Sequence, residues 1–129
     1  MNKHSLSIFL YPAVFCGLMT AAVAANAAGD AARGQTLYQA KCSACHSIEY
    51  NGVGPAHQGV FGRKAGGRTD YSYSPALQAT TVIWNEKTLD KWLTNPEKFI
   101  PGQKMGFMVP DARERADLIA YLKKETATK

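Results

Sequence analysis

The sequence predicts an all-α domain in which three main helices are connected by short helices and long loops. Helix-capping residues stand before segments with apolar residues at helical spacing, whereas no long segment alternates apolar and polar residues as a strand would. Six glycines lie between residues 52 and 67, which is typical of a loop. A chain of 129 residues fits one domain, and helix faces this short cannot close a full core by themselves.

The first main helix is predicted to begin just after Asp30, which is a good N-cap, and to extend to about residue 42. Gly34 lies inside this helix, where glycine costs about 1 kcal/mol relative to alanine. We therefore expect another element to pack closely against it. After the glycine-rich loop, Ser74 and Pro75 are typical N-cap and N1 residues of a short helix that ends near residue 80.

Two further main helices are predicted in the second half of the chain. Asn85 can cap the first of them, and Asn95-Pro96 ends it. Asp111 and Glu114 form an Asp-x-x-Glu variant of the capping box at the start of the last helix. The predicted inward faces are Leu89, Trp92 and Leu93 in one helix and Leu118, Tyr121 and Leu122 in the other.

Residues 1–27 have the features of a cleaved secretory signal peptide. After a short basic start, residues 5–29 carry no charge, and the Ala-Asn-Ala triplet at 25–27 fits the small-x-small cleavage pattern. The mature domain is therefore expected to comprise residues 28–129 and to be periplasmic. An uncleaved membrane anchor is the alternative, because about 20 apolar residues can span a bilayer.

Composition and charge narrow the class of protein. The formal net charge of +5 is too small to indicate nucleic-acid binding, and a hydrophobic fraction of 46% excludes wholesale disorder. Removal of residues 1–27 takes away one lysine and no acid, which leaves a charge of +4. Cys16 leaves with the same segment, so only Cys42 and Cys45 remain. Two closely spaced thiols make a poor disulfide scaffold, and another use is expected.

The segment Cys42-Ser43-Ala44-Cys45-His46 is a C-x-x-C-H motif, the attachment signature of c-type haem. Its two thiols can form thioethers with neighbouring vinyl groups, while His46 can turn under the ring and ligate the iron. A thioredoxin-like dithiol would need a βαβ context, and a zinc site needs four ligands, for which adjacent Cys45 and His46 are awkward. We therefore predict one covalent haem c per chain.

The ligand on the other face of the iron decides between electron transfer and ligand binding. Met105 is the favoured donor, because Pro101-Gly102 precedes it and Gly106 follows it in a flexible loop. His57 and Met108 are the alternatives. A surface or packing role is the competing interpretation for His57, and a core-filling role for Met108.

These motifs, in this order, resemble the class I c-type cytochromes, the group of mitochondrial cytochrome c and small soluble bacterial cytochromes c. The resemblance extends from Gly29 to about Lys124. It implies a small single-haem fold in which the last helix crosses the first at Gly34. The matching segments are Cys42 to His46, Gly54-Pro55, Phe61 to Lys64, Asn95 to Phe107, and Leu118 to Lys124.

The resemblance also implies roles for several side chains around the haem. The Pro55 carbonyl would accept a hydrogen bond from the proximal His46 ring, and Met105 would be the second axial ligand. Arg63, Tyr73 and Trp84 would surround a haem propionate.

The chain departs from this family at several positions. Trp92 stands where the family usually has a tyrosine bonded to the methionine sulfur, and Gln103 replaces a common threonine. His57 occupies a position that is usually apolar and faces the haem. These departures bear on the redox potential and the partner rather than on the fold.

The expected function is that of a monomeric, exported electron carrier, and not an enzyme, since no catalytic acid or base or second cofactor site is visible. Its partners would be redox proteins, such as a membrane or periplasmic oxidase, reductase or reaction centre. We expect them to dock on a lysine rim formed by Lys41, Lys98 and Lys104. The alternatives are a haem-bearing subunit of a larger complex and a small haem enzyme or ligand sensor with a displaceable Met105.

Overall fold

The computed structural model describes residues 28–127, and the expectations for residues 1–27 lie outside that part of the chain. The helices are α1 (Ala31–Lys41), α2 (Pro75–Ala79), α3 (Glu86–Thr94), α4 (Pro96–Phe99) and α5 (Ala112–Ala127). Among the described residues there is no strand, only an isolated antiparallel bridge between Lys64 and Ile83. The all-α prediction is thereby confirmed. Within the same residues, no helix has the length and apolar character needed to cross a membrane.

The starts of α1, α2 and α3 are confirmed by their caps. The Asp30 carboxylate accepts from the backbone N–H groups of the first turn of α1, and the Ser74 hydroxyl does the same for α2. Asn85 accepts from the N–H of Thr88 at 3.0 Å, and Asn85 N–H donates to the Thr88 hydroxyl at 2.8 Å. This capping box was not predicted, because threonine rather than glutamate or glutamine stands at its third position.

Two predicted helix boundaries differ in detail. Asn95 ends α3 as expected, but its side chain also accepts from Lys98 N–H at 2.9 Å and so starts the single-turn helix α4. At the start of α5, Asp111 accepts from Glu114 N–H at 2.9 Å. The Glu114 carboxylate, however, lies 2.5 Å from the Lys41 ammonium instead of returning to the cap. The predicted Asp-x-x-Glu box is therefore only half formed.

Helices α1 and α5 cross at Gly34, as the resemblance implied. A Cβ at this position would lie 2.0 Å from the carbonyl oxygen of Asp117 and 2.8 Å from Tyr121 Cβ. The buried Asp117 carboxylate accepts from Arg33 Nε at 2.9 Å and from the backbone N–H of Asp30 at 2.6 Å. The Arg33 bond holds the pKa of Asp117 below its usual value. This buried charge at the crossing was not predicted.

The predicted inward faces of α3 and α5 are buried, as expected. They pack with Tyr38 of α1 and with Tyr73, Leu77 and Trp84 from the intervening segment into one cluster. These side chains do not fill the centre of the domain. All of them except Tyr121 line a cavity between the helices and the loops.

Candidate haem site

A cavity of about 520 Å³ lies between the helices and the long loops. Leucines from α2, α3 and α5 give it a largely apolar wall. The structure brings to this cavity all the residues predicted to hold the cofactor: Cys42, Cys45, His46, Pro55, Arg63, Tyr73, Trp84 and Met105. Met108 is not among the lining residues and is 50% exposed.

The two thiols lie on the turn that ends α1. Cys42 caps the helix through its N–H bond to the Tyr38 carbonyl at 2.8 Å, and Cys45 and His46 N–H both return to the Cys42 carbonyl. The two cysteines are not joined by a disulfide. Burial raises the pKa of Cys42 to about 11, so the thiolate is disfavoured. A reactive dithiol pair requires the opposite shift, which argues against the thioredoxin-like alternative.

The proximal ligand predicted from the motif has a defined tautomer. His46 Nδ1 lies 2.8 Å from the Pro55 carbonyl oxygen, which can only accept, so Nδ1 carries the proton and Nε2 keeps its lone pair. Burial lowers the pKa of His46, against the opposing effect of the Pro55 bond. The ring is therefore neutral at physiological pH, the form that binds a metal.

The loop after the motif is shaped around this ring. Gly54 N–H donates to the Cys45 carbonyl at 2.8 Å, and a Cβ on Gly54 would lie 2.2 Å from His46 Cε1. A residue with a side chain at position 54 would therefore clash with the His46 ring.

His57 lies beside His46 and is half-buried. The two imidazoles stack with centroids 4.1 Å apart and planes 19° from parallel. His57 Nδ1 shares a hydrogen bond with the Tyr38 hydroxyl at 3.0 Å. Burial, together with the neighbouring His46 and Arg63, holds the pKa of His57 well below its usual value. The sequence placed His57 at a haem-facing position but gave no signal for this stack.

Met105 is half-buried in a loop held by side-chain bonds. The Glu97 carboxylate accepts from Gly102 N–H at 3.0 Å and from the Gln103 amide at 3.3 Å. The Gln103 oxygen in turn accepts from the backbone N–H of Met105. This connection between Glu97 and Met105 was not predicted. Its only sign in the sequence is Gln103, which stands where the family commonly has threonine.

One buried polar atom of the cavity has no partner among the described residues. The Arg63 guanidinium donates to the carbonyls of Gln58 at 2.7 Å and Ala56 at 3.3 Å, but its buried Nε has no hydrogen-bond partner. Buried donors are normally paired, so an acceptor is missing at this position. An anionic propionate beside Arg63, Tyr73 and Trp84 would supply it, and the donor set of the cavity therefore fits haem.

Trp92 lines the same cavity and packs against Trp84, with ring centroids 5.4 Å apart. It is buried, and its indole can donate but not accept a hydrogen bond.

The three residues of the predicted lysine rim are not equivalent. Lys104 is exposed and lines the cavity. Lys41 also lines it, but its ammonium pairs with Glu114. Lys98 is exposed on α4 and is not a lining residue. The apolar side chains of Val53 and Phe107, 79% and 44% exposed, also line the cavity and were not predicted.

An all-α domain with a C-x-x-C-H turn, a neutral imidazole and a thioether on one apolar cavity defines a small covalent-haem electron-transfer protein. The comparisons agree: the cytochrome c family model matches residues 31–126. The chain belongs to the cytochrome c family. It is therefore a haem-based electron carrier that holds covalent haem c and works with redox partners, and it is not an enzyme.

Individual relatives cover most of the chain. A cytochrome c of Gibberella zeae is 44% identical over 104 residues, which span 78% of this chain and 98% of the relative. A cytochrome c of Chlamydomonas reinhardtii is 46% identical over 104 residues, or 78% and 93% of the two chains. Among solved structures, cytochrome cH from Methylobacterium extorquens is 45% identical with a TM-score of 0.71, covering 74% of this chain and 99% of that one.

Proposed function

We propose that the mature domain, residues 28–129, is an exported carrier of single electrons with haem held by Cys42 and Cys45 and ligated by His46 and Met105. The observation that carries this proposal is the meeting of two thiols, one imidazole and one thioether on a single apolar cavity. Such a donor set matches the attachment and the two axial positions of a low-spin haem c.

The residues of the cavity each have a task in this proposal. The haem iron supplies the one-electron change between ferric and ferrous states. The Pro55 carbonyl orients the His46 ring and raises its basicity. The apolar wall and the Met105 sulfur favour the reduced state, which carries less positive charge. Arg63 Nε offsets a propionate charge inside the domain.

The axial assignment is tested with a matched pair of methionine variants. Met105→Ala should abolish the weak sulfur-to-iron charge-transfer band of the oxidised protein and lower its reduction potential. Met108→Ala makes the same chemical change three residues away on an exposed side chain and should leave the band intact. Loss of the band in the Met108 variant alone would overturn the assignment.

Covalent attachment is tested by removing both thiols. The variant Cys42→Ala, Cys45→Ala should contain no covalent haem by intact mass. It should also lack a cooperative unfolding transition, because the domain's centre is a cavity of about 520 Å³ without the cofactor. A double variant that folds cooperatively without haem would contradict this expectation.

Export is tested by the mass of the protein recovered from a bacterial periplasm. The family match begins at residue 31, so the proposed signal segment lies outside it. A product that begins near Ala28 supports cleavage. A full-length product in the membrane fraction supports the anchor instead.

Docking of redox partners is proposed to use the lysine rim, with Lys104 as its main charge. Lys104→Glu should slow bimolecular electron transfer at low salt, and the effect should fade near physiological salt, where the screening length is about 8 Å. Lys41→Glu should slow it as well, because it reverses a charge on the cavity lining and leaves Glu114 without its partner. Lys98→Glu should slow it less, because Lys98 does not line the cavity. Lys87→Glu, an equal charge change on an exposed α3 residue outside the cavity lining, is the control. Equal slowing by Lys104→Glu and Lys87→Glu would leave only a net-charge effect.

A further inference from the structure

His57 is a half-buried ionisable side chain that has no assigned task in electron transfer through His46 and Met105. Its imidazole lies face to face with the His46 imidazole. We propose that His57 is a positioning residue that fixes the plane of the His46 ring and is itself held by Tyr38. This inference rests on the proposed role of His46 as an axial ligand.

The hydrogen bond to Pro55 leaves one motion of the His46 ring free. It fixes the tautomer and the direction of Nδ1, but hydrogen bonds tolerate tens of degrees of misalignment before they weaken steeply. The ring can therefore still swing about its Cβ–Cγ bond. A flat neighbour 4.1 Å away and 19° from parallel opposes that swing, because rotation drives a ring edge into it.

His57 can act as such a neighbour only if its own ring is fixed. The Tyr38 hydroxyl, 3.0 Å from His57 Nδ1, supplies the second point of attachment besides the Cα–Cβ bond. Tyr38 is itself buried in α1 and packs on Tyr121 of α5, with ring centroids 5.3 Å apart. The restraint on the axial ligand thus begins at the crossing of the first and last helices.

An aliphatic side chain at position 57 would fill similar space but would lack both the flat face and the hydrogen bond to Tyr38. Its contact with His46 would then permit a range of ring orientations. The difference is measurable, since the pattern of haem-methyl resonances in the ferric protein depends on the plane of the axial imidazole.

The experiment compares paramagnetic proton spectra of ferric holoproteins. His57→Leu removes the stack, and Tyr38→Phe keeps the stack but removes the hydroxyl that holds His57. Both should change the order or spread of the haem-methyl resonances. Tyr121→Phe is the matched control, because it deletes a hydroxyl from the same aromatic cluster without touching His57. It should leave the pattern of the parent protein.

The outcomes separate this inference from the proposed function. If the parent spectrum shows no His46 ring protons shifted by the iron, the axial assignment itself fails. If those protons are present and either His57→Leu or Tyr38→Phe keeps the parent pattern, the positioning role is overturned. Because Tyr38→Phe removes one oxygen only, it preserves the packing even if His57→Leu lowers stability.

Discussion

Replacing Gly54 by alanine tests how tightly the loop is built around the proximal ligand. The Gly54 backbone has no positive φ, so alanine is conformationally allowed there. Its Cβ, however, would lie 2.2 Å from His46 Cε1 and 2.6 Å from Nδ1, well inside van der Waals contact, which begins at about 3.4 Å. The His46 ring cannot move aside without cost, because it is bonded to Pro55 and stacked on His57.

The expected change in the free energy of unfolding combines two destabilising contributions and one stabilising contribution. Overpacking of a filled site costs about 1 to 3 kcal/mol. Loss of the His46–Pro55 hydrogen bond adds about 1 kcal/mol. The lower entropy of the unfolded chain returns about 0.4 to 1 kcal/mol. We therefore expect Gly54→Ala to lower the free energy of unfolding by about 2 kcal/mol, roughly a thirtyfold change in the folding equilibrium.

The assay is guanidinium unfolding of the holoprotein followed by far-UV circular dichroism, with the linear extrapolation to water. Gly106→Ala is the control on the Met105 side, because its Cβ would meet no protein atom within 4 Å and its backbone has no positive φ. Only the entropic gain remains there, so stability should be unchanged or rise by up to about 1 kcal/mol. Equal stability of the two variants would refute the argument that the loop is fitted to the ligand ring.

Three further predictions concern the loop that carries Met105 and the crossing of α1 and α5. Gln103→Ala removes a bond of about 1 kcal/mol from Met105 N–H, so ferric protein should bind exogenous imidazole about fivefold more tightly in a spectral titration; unchanged affinity would contradict this. Gly34→Ala should destabilise the holoprotein by about 1 to 3 kcal/mol in guanidinium, despite a better helix propensity; equal or higher stability would contradict it. Because the pKa of Asp117 is lowered by folding, its contribution is present above the unfolded value of about 4 and fades as the pH falls through the folded value. Asp117→Asn should therefore lower stability near neutral pH by about 1.5 to 3 kcal/mol, the worth of a hydrogen bond to a charged group, and reduce its acid dependence; an unchanged pH profile would show that the Arg33 pair contributes nothing.

Much of the fold was predictable because its signals are local. Three helix starts were predicted from N-cap residues whose side chains bond the first turn of the helix: Asp30, Ser74 and Asn85. Gly34 inside a helix pointed to a close approach, and the approach is to α5. The single turn of α4 escaped prediction because Asn95 both ends one helix and begins the next.

The missed features depend on partners distant in sequence. Glu114 pairs with Lys41 across 73 residues instead of completing its local box, and nothing in either segment encodes the choice. His57 and His46 are only 11 positions apart, yet their stacking depends on the loop path between them. The motifs thus predicted which residues form the site. The contacts between those residues depend on the folded structure and were not predicted.

The hydrogen bond from Asp30 N–H to the Asp117 carboxylate joins residues 87 positions apart, so it connects the start of α1 to α5. Closing a flexible loop of that length costs about 4 kcal/mol by its logarithmic dependence, before any constant. The attachment motif sits immediately after α1, while Leu118 and Leu122 of α5 line the same cavity. Once the cofactor is fixed to α1, α5 docks on a surface already tethered there. We therefore expect haem attachment to lower the entropic cost of docking α5, so that cofactor loading and folding of the carrier are coupled.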